Sequence, residues 1–424
     1  YFRREQLNLL GSHADLIKAK KEINQRLAAI RVLLDRQLYA TNGGGKTYDQ
    51  WHKDTQPFHW YTEFYPVMAQ RGGFDVIIGN PPYVAKSKIA YLLENYAVKW
   101  SIERFKCPDL YGYVIGRSFQ LLNLNGNHGF IVMHNLAFSS DFVDVRKLIL
   151  KNSTIRHFSF YSRIPAGLFS GDCRVRNTIY LTSRSAHDEQ SYTTRLHRWY
   201  EEQREDIFTN LYFSSFDAHI DVIPMVESTC LLQVMRNRRG RHLNELLNSH
   251  SKYAIYFKKL AYNFLSISEK EAPCFFPNNK KAPQTTVYQI FTDTEEHKRI
   301  LILLFSGALY FAKWCIFGDD LNYTKGELLN FRFPFDELTT SDKKKLLALS
   351  AEWSKRADST IQYKLNAGKY VGTYNTSKLW DITDESDLIF LKYLCDNPVV
   401  VQEDLKLFVA QMAVALKKDS DNCG

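Results

Sequence analysis

The chain has 424 residues, 45% of them hydrophobic and 24% charged. That is enough apolar material for two or three packed domains of about 150 residues each, and it excludes a disordered chain. Lys and Arg number 55 against 46 Asp and Glu, a net charge of +9 that suits a polyanionic partner. No apolar run approaches the roughly 18 residues that span a bilayer, and no signal peptide opens the chain. Seven scattered cysteines without a CxxC pair argue against a disulfide framework and a structural zinc site. The expected setting is cytoplasmic, with no membrane and no metal. Tyr1 already lies within a charged, helix-like stretch, and the chain is expected to be a piece of something longer.

Residues 5–39 carry apolar side chains at helical spacing and predict helices ending near Ala40, followed by the loop TNGGGK (41–46). FDVIIG (74–79) predicts a buried strand and residues 110–124 a helix. GFIVMHN (129–135) predicts a second strand, 141–152 a helix, and IRHFSFY (155–161) and RNTIYLTSR (176–184) two more strands. Strands alternating with helices imply a parallel-rich α/β sheet covered on both faces. Residues 186–250 are polar and mixed, 251–335 are aromatic-rich with short strand-like runs, and 341–418 read mostly helical.

The sharpest local signal is DVIIGNPPY, Asp75 to Tyr83. A strand runs into an Asn, two prolines and an aromatic at its carboxyl end, where open α/β sheets bind ligands. Proline fixes its own φ and keeps the residue before it extended, so the loop is stiff. It offers the Asn80 side-chain carbonyl and a neighbouring main-chain carbonyl as acceptors, with Tyr83 as a flat surface. A planar heterocycle with an exocyclic amine fits that set. Its nitrogen lone pair is delocalised into the ring, and two acceptors around the NH₂ would favour rehybridisation and aim the lone pair at an electrophile. A base taken from duplex DNA must first be flipped out, and stacking on Tyr83 offsets part of that cost by about 1–3 kcal/mol.

These residues resemble the gamma-class N6-adenine DNA methyltransferases, particularly the type IIG restriction–modification (TaqI-like) enzymes. The similarity is strongest over 57–184, in PFHWYTEFYPVMAQRGGFDVIIGNPPYV (57–84), DLYGYVIGRSFQLLNLNGNHGFIVMHN (109–135) and RIPAGLFSGDCRVRNTIYL (163–181), with LNYTKGELLNFRFP (321–334) further on. The resemblance implies that Asn80, Pro81, Pro82 and Tyr83 form the catalytic loop, with Asn80 and the Pro81 carbonyl holding the adenine amine. It implies that Tyr83 and Phe169 pack on the flipped base and that Asp109, Leu110 and Tyr111 lie near the cofactor, S-adenosylmethionine. It also implies double-stranded DNA as the partner and a direct methyl transfer. The family's glycine loop and the acidic residue that holds the ribose are not found in residues 1–73. The expected fold is therefore the second half of a Rossmann-like methyltransferase sheet followed by an α+β target-recognition domain. The divisions are 1–66 helical segment and linker, 67–185 half of the catalytic domain, 186–250 connector and 251–424 recognition domain with a helical end. By the family's strand order the first strand would then lack its usual inner neighbour and leave an unpaired apolar edge, and a missing N-terminal half or separate subunit would complete the cofactor site.

Arg236, Arg238, Arg239 and Arg241, with Lys258, Lys259, Lys280 and Lys281, are expected to touch DNA phosphates. ATNGGGKT (40–47) fits a relaxed phosphate-loop pattern but follows a helix instead of a strand, so it reads as a linker. His59 reads as loop support, Asp75 as a strand start, and the run Tyr253, Tyr256, Phe257, Tyr262, Phe264 as core. Asp172 could be offered as a base, but methylating an amine with a sulfonium needs none before transfer. Two other functions remain: a catalytically silent DNA-recognition module, and methylation of RNA or of protein glutamine at a similar loop.

Overall fold

A computed structural model describes residues 13–88, 107–169, 175–184, 188–217 and 222–413. Residues 5–12 of the stretch expected to be helical, Asp172, Cys173 and the tail with Cys423 lie outside the described residues. Helix α1 (His13–Asn42) and the short α2 (Tyr48–Thr55) precede the sheet. Asp35, buried on α1, holds His59 at 2.8 Å, so His59 supports the approach to the first strand.

Six strands form one mixed sheet in the order β1-β2-β4-β3-β5-β6. They are β1 (Phe74–Gly79), β2 (Leu122–Met133), β3 (Ile155–Tyr161), β4 (Asn177–Ser183), β5 (Gln190–His197) and β6 (Ser214–Ser215). Only β1–β2 and β3–β5 pair in parallel, whereas β2–β4, β3–β4 and β5–β6 are antiparallel. The parallel-rich expectation is therefore corrected. β2 begins seven residues before its sequence signal, because Leu122 pairs with Phe74 ahead of an irregularity in register. β5 extends the sheet into the stretch read as a connector.

One face of the sheet is closed. Phe130, Tyr180 and Phe158 stand in one row across β2, β4 and β3. They share a core with Tyr111 and Ile115 of α3 (Leu110–Leu121) and with Val145 and Ile149 of α4 (Val143–Lys151). The opposite face is closed only at one end, where His157 stacks on Tyr192 at 4.7 Å with Phe213 against its edge. At the other end β1 is the sheet edge, and Val76, Ile78 and Leu181 are 55%, 73% and 56% exposed. The Leu181 side chain lies across Gly129, where a Cβ would meet it at 2.5 Å. The strand expected to be buried is thus an edge strand with a bare apolar face, since nothing among the described residues covers it.

The second half is centred on α6 (Glu295–Ser306) and α7 (Ala308–Phe317), after a short α5 (Thr229–Met235). Every residue from Ala308 to Ile316 is buried, as expected of a helix that is apolar all round. Around them pack α8 (Thr340–Ala357), α9 (Trp380–Lys392) and α10 (Pro398–Ala413). No single helix among the described residues is long and apolar enough to cross a membrane; α6 and α7 pass that test only as a pair, bent by 62°. Three small sheets complete this half: β7 (Arg241–His242) with β12 (Arg332–Phe333); β11 (Val287–Thr292), β8 (Tyr253–Lys258) and β9 (Ile267–Ser268); and β10 (Cys274–Phe275), β14 (Lys369–Tyr374) and β13 (Ile361–Asn366). The β13–β14 hairpin interrupts the region expected to be mostly helical, and α6 and α7 occupy the region expected to hold short strands. Of the aromatic run only Phe257 is buried, and the other four are half-buried.

Candidate active site

Asn80 leaves the carboxyl end of β1 exposed, followed by Pro81, which is buried, Pro82, exposed, and Tyr83, half-buried. The two prolines end the strand, and the chain then turns, with Val84 N–H bonded to Pro82 O at 3.2 Å. Tyr83 is pinned at its far end. Its hydroxyl donates to Ile131 O at 3.1 Å and accepts from Asn177 Nδ2 at 3.2 Å. Its ring meets that of Tyr111 edge-on at 6.3 Å. A ring held at its hydroxyl and edge keeps one orientation, as a stacking surface must.

Just beyond, Ala85 and Asp109 form an antiparallel bridge, with Leu110 N bonded to Val84 O at 2.8 Å. The structure therefore brings Asp109, Leu110 and Tyr111 beside the Asn80–Tyr83 loop. Asn135, on the turn after β2, ties them together: it accepts from the Tyr111 hydroxyl at 2.6 Å and its Nδ2 lies 3.4 Å from Asp109 Oδ2. Tyr111 stacks on Phe142 at 5.0 Å. Burial raises the Asp109 carboxyl above the usual range, while the Asn135 hydrogen bond pulls it back. Burial also pushes the Cys107 thiol up to about 11, so it stays protonated and unreactive at neutral pH.

Phe169 is half-buried on the loop that follows the cis Ile164–Pro165 bond. Arg204 holds this loop through Gly167 O and Leu168 O, each at 3.1 Å. The loop is anchored at both ends by Asp320, a buried residue of the second half. Asp320 accepts from Ser162 Oγ at 2.7 Å and from Arg176 Nε at 3.2 Å, and it pairs with the buried Arg198. Asn135, Asn177 and Asp320 carry no signal in a single sequence. Each acts through a partner distant along the chain.

The expected DNA contacts separate into two groups. Arg239 pairs with Glu337 at 2.9 Å, and Arg241 lies near Glu245 and Asp336. Arg236 is half-buried and Arg238 exposed. Lys258 is half-buried, and Lys259, Lys280 and Lys281 are exposed. Asp75 bridges Arg71 at 3.0 Å and Asn123 at 2.6 Å, at the strand start. Among the described residues no cluster of His, Cys, Asp or Glu could hold a metal ion.

Residues 5–164 match the family described as Eco57I restriction-modification methylase. No curated protein matches the chain. Among solved structures, the chain is similar to the type IIL restriction-modification enzyme MmeI in complex with DNA (13% identity, TM-score 0.44, covering 80% of this chain and 57% of that one). It is also similar to the type IIG restriction endonuclease BpuSI (10% identity, TM-score 0.31, 80% and 54%) and to a DrdV–DNA complex (18% identity, TM-score 0.28, 37% and 18%). The chain spans from about a fifth to just over half the length of these three enzymes.

Proposed function

We propose that this chain is the C-terminal portion of a site-specific DNA adenine-N6 methyltransferase of a restriction–modification or phage-defence system. The observation that carries the reading is the Asn80–Tyr83 loop: a stiff Asn-Pro-Pro turn at the carboxyl end of β1, with Tyr83 fixed by Ile131 and Asn177. The family match across this loop supports it.

In this reading a flipped adenine stacks on Tyr83, with Phe169 packing on its other side or edge. The Asn80 side-chain oxygen and the Pro81 carbonyl accept from the two N6 hydrogens. As the methyl group arrives, positive charge grows on N6, and both acceptors hold the nitrogen more strongly than in the ground state, which lowers the barrier. No protein nucleophile is required. S-adenosylmethionine would supply the methyl group as a sulfonium, its S–CH3 bond breaking to leave a neutral thioether, and the surplus N6 proton would pass to water. The residues present fit it only in part. Asp109 and Asn135 form one wall, but β1 is an edge, and no described strand beyond it provides the opposite wall. A cofactor-binding half, upstream or on another polypeptide, would pair with β1 and cover Val76, Ile78 and Leu181. The bare edge equally favours a second reading, in which this chain alone is a catalytically silent DNA-recognition module.

Labelled methyl transfer to DNA, with the product nucleoside identified, tests the first reading on the chain combined with its cofactor-binding half. N6-methyladenine is expected, and it should vanish with Asn80→Ala while DNA affinity stays within about a few-fold. Undiminished methylation by the Asn80→Ala protein would refute it.

A further inference from the structure

A groove of about 780 Å³ opens between the β13–β14 hairpin and the chain that follows β8. Lys258, Lys364 and Lys369 line it together with Asn263, Asn366 and Thr373, and its lining includes no Asp or Glu. The ion pairs formed nearby run through other cations, Lys270 with Asp358 and Lys298 with Glu269. None among the described residues engages these three lysines. Burial pushes the Lys258 ammonium down, and Thr373 Oγ1 is its hydrogen-bond acceptor. An ammonium desolvated without a carboxylate is costly, and an anion brought to the groove relieves that cost.

The hairpin is built to project and to stay rigid. Asn366 pairs with Lys369 across a two-residue turn, Ala367 and Gly368, both left-handed at φ 47° and 74°. That turn follows the right-handed twist of the strands it joins. Lys364 faces Val371 across the ladder, on the side of the groove. The opposite side carries Tyr363 and Tyr370, which pack on Phe275 at 5.3 and 5.5 Å. Phe275 also bridges to Lys281, which places the exposed Lys280 and Lys281 beside the same small sheet. Lys258, Lys364 and Lys369, separated along the chain, thus converge on one groove, whereas Lys281 lines a neighbouring cavity beside Glu271. Of the arginines around Gly240, by contrast, Arg239 and Arg241 already have Glu337, Glu245 and Asp336 as neighbours.

We infer that this lysine groove, and not the ion-paired Arg239 and Arg241, is the surface that tracks a phosphate backbone of duplex DNA, with the β13–β14 hairpin as the ribbon lying against a groove of the duplex. A two-stranded ribbon is one of the two elements that the major groove admits. The inference rests on the proposed reading that DNA is the partner, and its charge argument is local: each phosphate neutralised releases condensed counterions.

Fluorescence anisotropy with a labelled duplex, repeated over a range of salt concentrations, tests it. The double variant Lys364→Ala/Lys369→Ala should lose on the order of ten-fold in affinity, and its log–log salt slope should fall in magnitude by about 1.8, at roughly 0.9 per lost phosphate contact. Arg239→Ala/Arg241→Ala should stay within about two-fold of the unmodified chain, because neutralising ion-paired surface arginines removes little. Both positions in the lysine variant lie on a surface hairpin, and an unchanged melting temperature confirms that each variant folds. Binding by the unmodified chain with no change in the lysine variant would overturn the groove while leaving the DNA reading intact. Failure of the unmodified chain to bind any duplex would sink the DNA reading itself. Equal affinity for a single-stranded RNA of the same length would overturn the assignment to duplex.

Discussion

The two halves of the molecule spend the same kind of residue in opposite ways. In the second half, α6 and α7 are surrounded by α8, α9 and α10, and their Leu, Ile and Phe side chains are buried on every side except for the half-buried Phe317. In the first half, Val76, Ile78 and Leu181 are as apolar, yet stand exposed at the edge of a sheet whose other face is filled. Burying such a side chain is worth about 1.5–3 kcal/mol, so three left bare in a row mark a surface that gains from being covered. A closed core in one half lies beside an open sheet edge in the other.

Acidification should give the largest response, and it acts on the sheet. Burial pushes His128 and His134 down to about 4 and His197 to about 3. Their folded-state values lie below the unfolded value of about 6.5, so the unfolded chain binds more protons between those limits. Stability from these groups is therefore full above about pH 6.5 and falls as the pH drops toward 4. The slope is up to about 1.4 kcal/mol per pH unit for each histidine, and chemical denaturation at stepped pH would show it. A flat profile from pH 7 to 4.5 would contradict the burial of these imidazoles.

Asp320→Ala should come next, because it strands Arg198 and Arg176 between the two halves. Breaking a buried pair by removing one partner costs about 3–5 kcal/mol, measurable as a fall in the denaturation midpoint. A loss under about 1 kcal/mol would mean that the halves do not depend on this contact. The pair of substitutions Leu303→Ala and Ile78→Ser sharpens the comparison directly. The first empties a closed core and should cost about 2–5 kcal/mol, whereas the second, on the bare face, should change stability by less than about 0.5 kcal/mol. Equal losses would show that Ile78 is covered in solution. Tyr83→Phe, which removes the hydroxyl between Ile131 and Asn177, should cost about 1 kcal/mol, less than Leu303→Ala and more than Ile78→Ser. Under the proposed reading, its larger effect should fall on labelled methyl transfer to DNA, through a ring freer to turn.

Much of the first half was legible. The strand IRHFSFY falls on residues 155–161 as read, and RNTIYLTSR encloses β4, because aromatic and β-branched runs between turn residues have few other solutions. Whether a face is covered is another matter. FDVIIG by itself reads as buried; the family's strand order implies that it lacks an inner neighbour, and the sheet order has it at the edge. The second half hid its elements for two reasons. α7 is apolar all round and so carries no helical periodicity, while the β13–β14 hairpin alternates weakly and turns on Ala-Gly in place of Asn-Gly. At the candidate site, Asn80 to Tyr83 stood out because the motif is contiguous. Asn135, Asn177 and Asp320 did not, since each meets its partner across 24 to 158 residues of chain.

Calorimetric titration of this chain with S-adenosylmethionine tests the central claim most directly, since the cofactor would lie between Asp109 and the open side of β1. The account expects no measurable heat, or binding far weaker than micromolar, until a partner supplying the missing wall is added. Clear micromolar binding to the chain alone would contradict it, and the sheet edge would have to be read as complete.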